Sequence, residues 1–393
     1  MSGHPHRSCA GHRQGEFKVN RESALAVTRR LIEHVVADTT DLAEAPWVEP
    51  AESYFDREVW EREREQFFFE SPQAIGFAGD IATPGTFMTT EVMGKPVIVT
   101  RDKEGALRAF LNVCTHRGAR VAEGCGKAAR LVCRFHGWNY GLDGRLAGRG
   151  RSQDFEPDSL PTGLQQLPVS DRGGVLMLGV RPEMGQLRVE HAIDDILPAF
   201  EGYEFAKMQR VGSDRFEVDA NWKLVTNLSH EGYHFATLHR DSLAPMMTGH
   251  GAADEFGLHT RWAFPFRGIE KLRDKDESEW PSYPSAAVNH TLFPGTVIVA
   301  NEGNAQMIRV EPGDEPGKSV VYFSSVCVPS VDGEVNDADR GTYEFGRNIF
   351  ESEDLPAAAE CQHGIAAREQ AVVIGRNEVV VQMWHRRWRD ELD

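Results

Sequence analysis

Between residues 21 and 38 apolar side chains recur at Leu25, Val27, Leu31, Ile32, Val35 and Val36, a stripe that predicts a helix. Pro46 and Pro50 then interrupt the chain, and a second helix, rich in Glu and Arg, is expected from about Asp56 to Phe68. From about Phe87 the texture becomes that of strands: Pro96–Thr100, Leu107–Leu111, Arg130–Cys133 and Gly174–Leu178, with turns at Asp102–Gly105 and Asp143-Gly144. Ala147–Pro168 reads as loop. Beyond about residue 180 the pattern mixes α and β. A helix is expected over Asn221–Leu238, strands over Gly295–Val310 and Ser319–Val328 joined by a turn at Glu311–Gly317, and helices over about 354–370 and 376–390. Arg267–Ser285 is charged and broken by Pro281 and Pro284; it reads as a cover over a site or as a solvated loop. No internal repeats are present.

Composition narrows the partners. A formal charge of −17 over 393 residues leaves no excess of Lys and Arg to neutralise phosphates, which argues against nucleic acid and against an anionic membrane surface. No apolar run approaches the length of a membrane span, and the first residues lack the apolar core of a secretory signal. Cys9, Cys114, Cys125, Cys133, Cys327 and Cys361 are scattered, which reads as a cytoplasmic protein and not a disulfide framework. His4, His6, Cys9 and His12 offer a stray metal site or, by composition, a disordered tail.

Two short motifs carry the strongest chemistry. Cys114-Thr-His116 and Cys133-Arg-Phe-His136 are separated by sixteen residues, and each pairs one cysteine with one histidine. Zinc sites also use two Cys and two His but usually take a cysteine pair from one knuckle and a histidine pair from another. Mixed arms suit a two-iron, two-sulfur Rieske cluster, with thiolates on one iron and imidazoles on the other. Such a centre moves single electrons.

A second constellation follows at Asn227-Leu-Ser-His230-Glu231-Gly-Tyr233-His234-Phe235 through His239. His234 and His239 are five apart, so on an ideal helix they diverge by about 140° and meet at one ion only if the helix ends or distorts between them. Neutral imidazoles with one carboxylate from elsewhere form a two-His-one-carboxylate face for iron(II), leaving open positions for dioxygen and substrate. His230, in helical i, i+4 relation to His234, competes as a ligand.

From about Trp47 to Trp388 these residues resemble the Rieske non-haem iron oxygenases, specifically the large catalytic α subunits of the aromatic-ring-hydroxylating type. Asn112-Val-Cys114-Thr-His116-Arg117-Gly118 and Cys133-Arg-Phe-His136-Gly-Trp138-Asn-Tyr140 resemble the family's cluster motif; Asn221-Trp222-Lys223, Asn227 and Glu231-Gly-Tyr233-His234 with His239 resemble its iron motif. Thr115 stands where the family often has Pro. The resemblance implies an α+β protein with a tail and helix over 1–45 packed on the catalytic part, a β-rich Rieske [2Fe-2S] domain over 46–170 and a helix-on-antiparallel-sheet, helix-grip-like catalytic domain over 171–393. It implies Asp354 as the third iron ligand, with Glu353 as the competitor or both acids as helix caps. It implies that Glu231, where Asp is usual, bridges His234 to His136 of an adjacent chain in a head-to-tail trimer, and that Asn227, Leu228 and Phe235 lie at the pocket.

The resemblance further implies a Rieske cluster and mononuclear Fe(II) as cofactors, O2 as co-substrate, and hydroxylation of an aromatic or hydrophobic small molecule. A monooxygenase of quaternary amines such as carnitine or betaine is the alternative; Tyr233, Trp262 and Phe264 are its candidates for a cation-binding face. A Rieske electron carrier without oxygenase chemistry is a third reading, opposed by the long chain after the cluster arms. No dinucleotide fingerprint follows a strand, so a separate NAD(P)H-dependent reductase, with or without a ferredoxin, is expected. Arg117, Arg120, Arg130, Arg134, Arg145, Arg149 and Arg151 gather around the cluster arms despite the acidic whole, as a steering surface for an acidic donor or a plain solvated one.

Overall fold

The computed structural model describes residues 21–155, 161–330, 333–368 and 370–392; the His4, His6, Cys9 and His12 group lies outside them. Two sheet systems dominate. In the first, a five-stranded antiparallel sheet runs in the order 166–167, 107–111, 95–101, 86–92, 125–127, beside a small sheet of 131–132, 139–140 and 146–148. Strand 175–178 pairs with 73–77 on one side and with 169–172 on the other. Short strands thus occupy part of the segment expected to be loop.

The second system is a seven-stranded antiparallel sheet in the order 209–218, 319–327, 304–312, 296–301, 286–292, 259–265, 252–256. Its alternation places Val297, Ile308, Val310, Val321 and Phe323 on the inner side, where they share one core with Trp222, Trp384 and Trp388. That core also holds Val97, Val99 and Ala109 of the first sheet, so no solvent layer separates the two systems. The expected strand Gly295–Val310 is two strands, because Asn301-Glu-Gly-Asn304 turns with Gly303 at φ 77°.

The helix Arg21–Ala37 buries Leu25, Val27, Leu31 and Ile32 against Ala252, Ala263 and Val288 of the larger sheet. The segment 267–285 joins this packing and is neither a free cover nor a solvated loop. Ile269, Trp280 and Tyr283 are buried, Trp280 Nε1 donates to Leu272 O and Arg29 grips Glu277. Strand Trp47–Glu49 pairs with Val372–Ile374, and the helix Val379–Leu392 follows.

A fully buried ion pair stitches the halves together. Lys223 Nζ donates to Glu63, which also accepts from Trp222 Nε1 at 2.7 Å and Trp388 Nε1 at 2.9 Å. Three donors on one carboxylate are what make burying that charge tolerable. No helix among the described residues is long and apolar enough to cross a membrane.

Candidate functional site

The two cluster arms have the same local build. Cys114 N donates to Ala119 O and Gly118 N returns to Cys114 O; Cys133 N donates to Trp138 O and Gly137 N returns to Cys133 O. Each turn closes through a glycine at positive φ, 79° for Gly118 and 72° for Gly137, where a side chain would be strained. Both cysteines are buried. The imidazoles of His116 and His136 converge, with Nδ1 atoms 3.2 Å apart. Two nitrogens held ~2.1 Å from one tetrahedral ion would stand about 3.4 Å apart, so this spacing fits a shared metal.

Around the arms, the Trp138 ring stacks on His116 at 4.9 Å. The Tyr140 hydroxyl lies 3.2 Å from Cys114 Sγ and 2.9 Å from Thr115 Oγ1, so Thr115 adds a polar tie at its departure from the usual motif. Burial, with His136 and Arg117 nearby, lowers the pKa of His116, which favours the neutral, ligating form.

The iron motif does not form the helix expected over Asn221–Leu238. A helix capped by Asn221 runs only over Trp222–Asn227, and tight turns follow through His239. Two features stop it. The Glu231 carboxylate accepts from the backbone N–H groups of Tyr233 and His234, an alternative to helical bonding. Gly232 packs so closely on Phe264 that a Cβ would sit 2.7 Å from its ring. The break meets the condition for convergence: His234 and His239 rings are 4.8 Å apart.

Asp354 joins them. Its Oδ1 lies 3.1 Å from His239 Nε2 and 3.8 Å from His234 Nε2, and one ligand atom from each of the three residues lies within 4.8 Å of the others. Asp354 sits where the preceding helix widens: Leu355 N–H reaches back five residues to Phe350 O, a turn frequent at functional sites. His234 Nε2 and Asp354 Oδ1 are buried without hydrogen-bond partners. Orphaned polar atoms facing one point, in a neutral-imidazole and carboxylate set, fit a divalent iron. The electrostatics agree: burial alone would lower His239, yet Asp354 and Glu353 raise its pKa, so the site attracts positive charge.

The competitors are placed elsewhere. Glu353 does not face the centre; its Oε2 lies 2.7 Å from His239 Nδ1 and accepts from Ser242 Oγ at 2.8 Å. His230 is wholly buried with Nε2 2.9 Å from Thr291 Oγ1, and burial, with His385 adding, drives its pKa down to about 3. Each converging histidine therefore has a glutamate behind it, Glu231 on His234 Nδ1 and Glu353 on His239 Nδ1. The pairing Glu353–Ser242 was not read from the sequence; three acids within four residues, Glu351, Glu353 and Asp354, were the available signal.

Phe235 packs beside both histidines, 5.0 Å from His234 and 5.6 Å from His239, and continues into Phe264, Trp262, Met247, Val379 and Val380. Leu228 is half-buried against the main core. Tyr233 is 73% exposed and takes no part in the Trp262–Phe264 contact, so the three expected cation-binding aromatics do not gather. Asn227 Nδ2 lies 3.0 Å from His385 Nε2.

Residues 71–157 match the model of the Rieske [2Fe-2S] domain, and residues 205–393 that of the ring-hydroxylating α subunit catalytic domain. The glycine betaine monooxygenase oxygenase subunit of Chromohalobacter salexigens is 33% identical over 201 residues, 49% of this chain and 43% of that protein. That match therefore spans less than half of the relative. The carnitine monooxygenase oxygenase subunit of Acinetobacter baumannii is 25% identical over 349 residues, 86% of this chain and 90% of the relative. Among solved structures, a quaternary ammonium Rieske monooxygenase in complex with L-carnitine superposes with a TM-score of 0.72 at 20% identity, over 89% of this chain and 96% of the other. Naphthalene 1,2-dioxygenase from Rhodococcus sp. does so with 0.70 at 19% identity, over 93% and 97%.

Proposed function

The chain joins a Rieske [2Fe-2S] domain to a ring-hydroxylating catalytic domain and so belongs to the Rieske non-haem iron oxygenases; from that premise we propose that it is a terminal oxygenase component that inserts oxygen from O2 into a small organic molecule. The observation that carries the reading is the convergence of His234, His239 and Asp354 with unpartnered atoms facing one point. When bound, ferrous iron would supply dioxygen activation there, and the cluster held by Cys114, His116, Cys133 and His136 would supply single electrons.

The chain's own groups do the rest. Glu231 and Glu353 fix the two imidazoles with Nδ1 occupied and Nε2 turned inward, the usual device for orienting metal-bound histidine. Phe235 and Phe264 give the site an apolar wall that keeps water from it. Glu231 adjoins exposed Tyr233, while Phe135, beside the exposed His136, is itself exposed. That pairing of surfaces supports a head-to-tail homotrimer in which His136 of one copy meets Glu231 of the next.

The names of the relatives favour a quaternary amine, oxidised at a carbon next to nitrogen. The packing of Phe235, Trp262 and Phe264 on one another beside the converging histidines favours the second reading, an uncharged aromatic or hydrophobic substrate. A separate NAD(P)H-dependent reductase, with or without a ferredoxin, would supply electrons, and the cysteines, scattered singly along the chain, suit a cytoplasmic setting.

The test is iron and acid-labile sulfide per chain on anaerobically purified protein, with an EPR spectrum after dithionite reduction. Turnover is then assayed with a surrogate reductase on glycine betaine, carnitine, choline and naphthalene. Three irons, two sulfides and a Rieske signal are expected, with product from one substrate class. Two irons per chain would leave an electron carrier, and zinc without sulfide would remove the reading altogether.

A further inference from the structure

Thr115 stands between Cys114 and His116, at the position where the family's motif often has Pro. It touches one atom twice. Its backbone N–H donates to the Tyr140 hydroxyl at 3.1 Å, and its Oγ1 lies 2.9 Å from the same oxygen. That oxygen is also 3.2 Å from Cys114 Sγ. Proline could make neither contact, since it has no N–H and no hydroxyl. The arrangement is held from both sides. Tyr140 is wholly buried on the middle strand of 131–132, 139–140 and 146–148, and Cys114 is fixed by the turn that closes through Gly118 and Ala119.

Donor counting then leaves one pattern. As a cluster ligand Cys114 is a thiolate, which accepts and cannot donate. The hydrogen between Tyr140 Oη and Cys114 Sγ must come from the Tyr140 hydroxyl. The hydroxyl has no second hydrogen, so the one between Tyr140 Oη and Thr115 Oγ1 belongs to Thr115. The Tyr140 oxygen thus accepts twice from Thr115 and donates once to the sulfur. Donors on a hydroxyl oxygen polarise its O–H bond and strengthen what it donates. Reduction adds negative charge that the sulfurs share. A donor on Sγ therefore stabilises the reduced form more than the oxidised one and raises the potential.

We infer that Thr115 is a positioning residue that commits the Tyr140 hydroxyl to Cys114 Sγ and so raises the potential at which the cluster accepts its electron. The inference rests on Cys114 ligating a Rieske cluster. The departure from Pro thus bears on driving force and leaves the ligand set as it is.

The test is a dye-mediated redox titration of the full chain, purified anaerobically and followed by the visible circular dichroism of the cluster. Acid-labile sulfide is measured on each preparation. The variants are Thr115→Val, which keeps the N–H and the side-chain shape, Thr115→Ser, which keeps the hydroxyl, Tyr140→Phe, and the double variant Thr115→Val with Tyr140→Phe. Tyr140→Phe is expected to lose about tenfold in the one-electron reduction equilibrium, ~59 mV of potential. Thr115→Val is expected to lose part of that, Thr115→Ser none, and the double variant no more than Tyr140→Phe alone. A Thr115→Val protein with full sulfide and the wild-type potential overturns the inference, as does an equal fall in Thr115→Ser and Thr115→Val. So does a fall in the double variant beyond that of Tyr140→Phe, because Thr115 would then act without Tyr140. Should Thr115→Val hold no sulfide, Thr115→Ala is titrated in its place under the same criteria. Wild-type protein without acid-labile sulfide overturns the cluster reading itself; sulfide-loaded variants with unmoved potentials overturn this inference alone.

Discussion

At the cluster arms, both histidines come from matching glycine-closed turns of one β-rich unit, His136 exposed and His116 half-buried against Trp138. At the mononuclear site His239 is 1% exposed, and the acid behind it, Glu353, arrives 114 residues later from a different element. The first site is local and open to a partner; the second is assembled by tertiary packing and shut into the core. The difference follows from their tasks. A centre that passes electrons between proteins needs an exposed edge, whereas a centre that activates dioxygen needs exclusion of water.

If the sites are separable in this way, Asp354→Ala should have the largest effect and a one-sided one. Iron falls from three to two per chain, product formation falls below detection, and the reduced Rieske EPR signal is retained. Loss of the cluster signal as well would show that the two regions are not independent. Glu231, the proposed bridge between them, is the next point of attack: Glu231→Gln should lower turnover on the order of 100-fold. Single-turnover reduction of the cluster by dithionite should be unchanged, so the loss appears only in transfer onward.

Glu353 lies on the closed side and should behave differently. Glu353→Gln is expected to weaken ferrous iron binding roughly 10-fold, read by competition with a chelator, without slowing electron arrival once iron is saturated. Equal kinetic phenotypes for the two glutamates would dissolve the distinction between an open and a closed flank.

The smallest effect concerns stability and separates buried from exposed histidines. Burial pushes His230 and His290 down to about 3, far below the ordinary value of 6.5. The unfolded chain binds protons at these positions as pH falls below 6.5 while the folded chain does not, so each costs about 1 kcal/mol of stability per pH unit across that window, down towards pH 3. Urea midpoints measured from pH 7 to pH 5 should fall, and His290→Leu should flatten that slope. An unchanged slope would mean that His290 is protonated in the folded protein.

How much of this could be read from the chain differs between the same two regions. The arms were legible because ligands, turn glycines and the flanking Trp138 and Tyr140 are consecutive. The segment after Asn221 was misread as continuous helix, since neither the competition of the Glu231 carboxylate for backbone N–H groups nor the contact of Gly232 with Phe264 appears in helical periodicity. Asp354 and Glu353 were both in view, but neighbours on a widened turn point in different directions, and only the fold assigns one to the ion and the other to His239. The anchoring of 267–285 escaped because its buried Ile269, Trp280 and Tyr283 are spaced too irregularly to form a stripe.

Strand Trp47–Glu49 closes on Val372–Ile374, and Arg389 reaches Glu49 across 340 residues of chain. Everything that carries the cluster and the whole of the larger sheet is therefore an excursion between two ends that must find each other. Loop-closure entropy grows only slowly with length, so the cost to stability is modest, but a contact of such long sequence separation slows the search. Folding should accordingly have a late phase, after the sheets have formed, in which this clasp shuts.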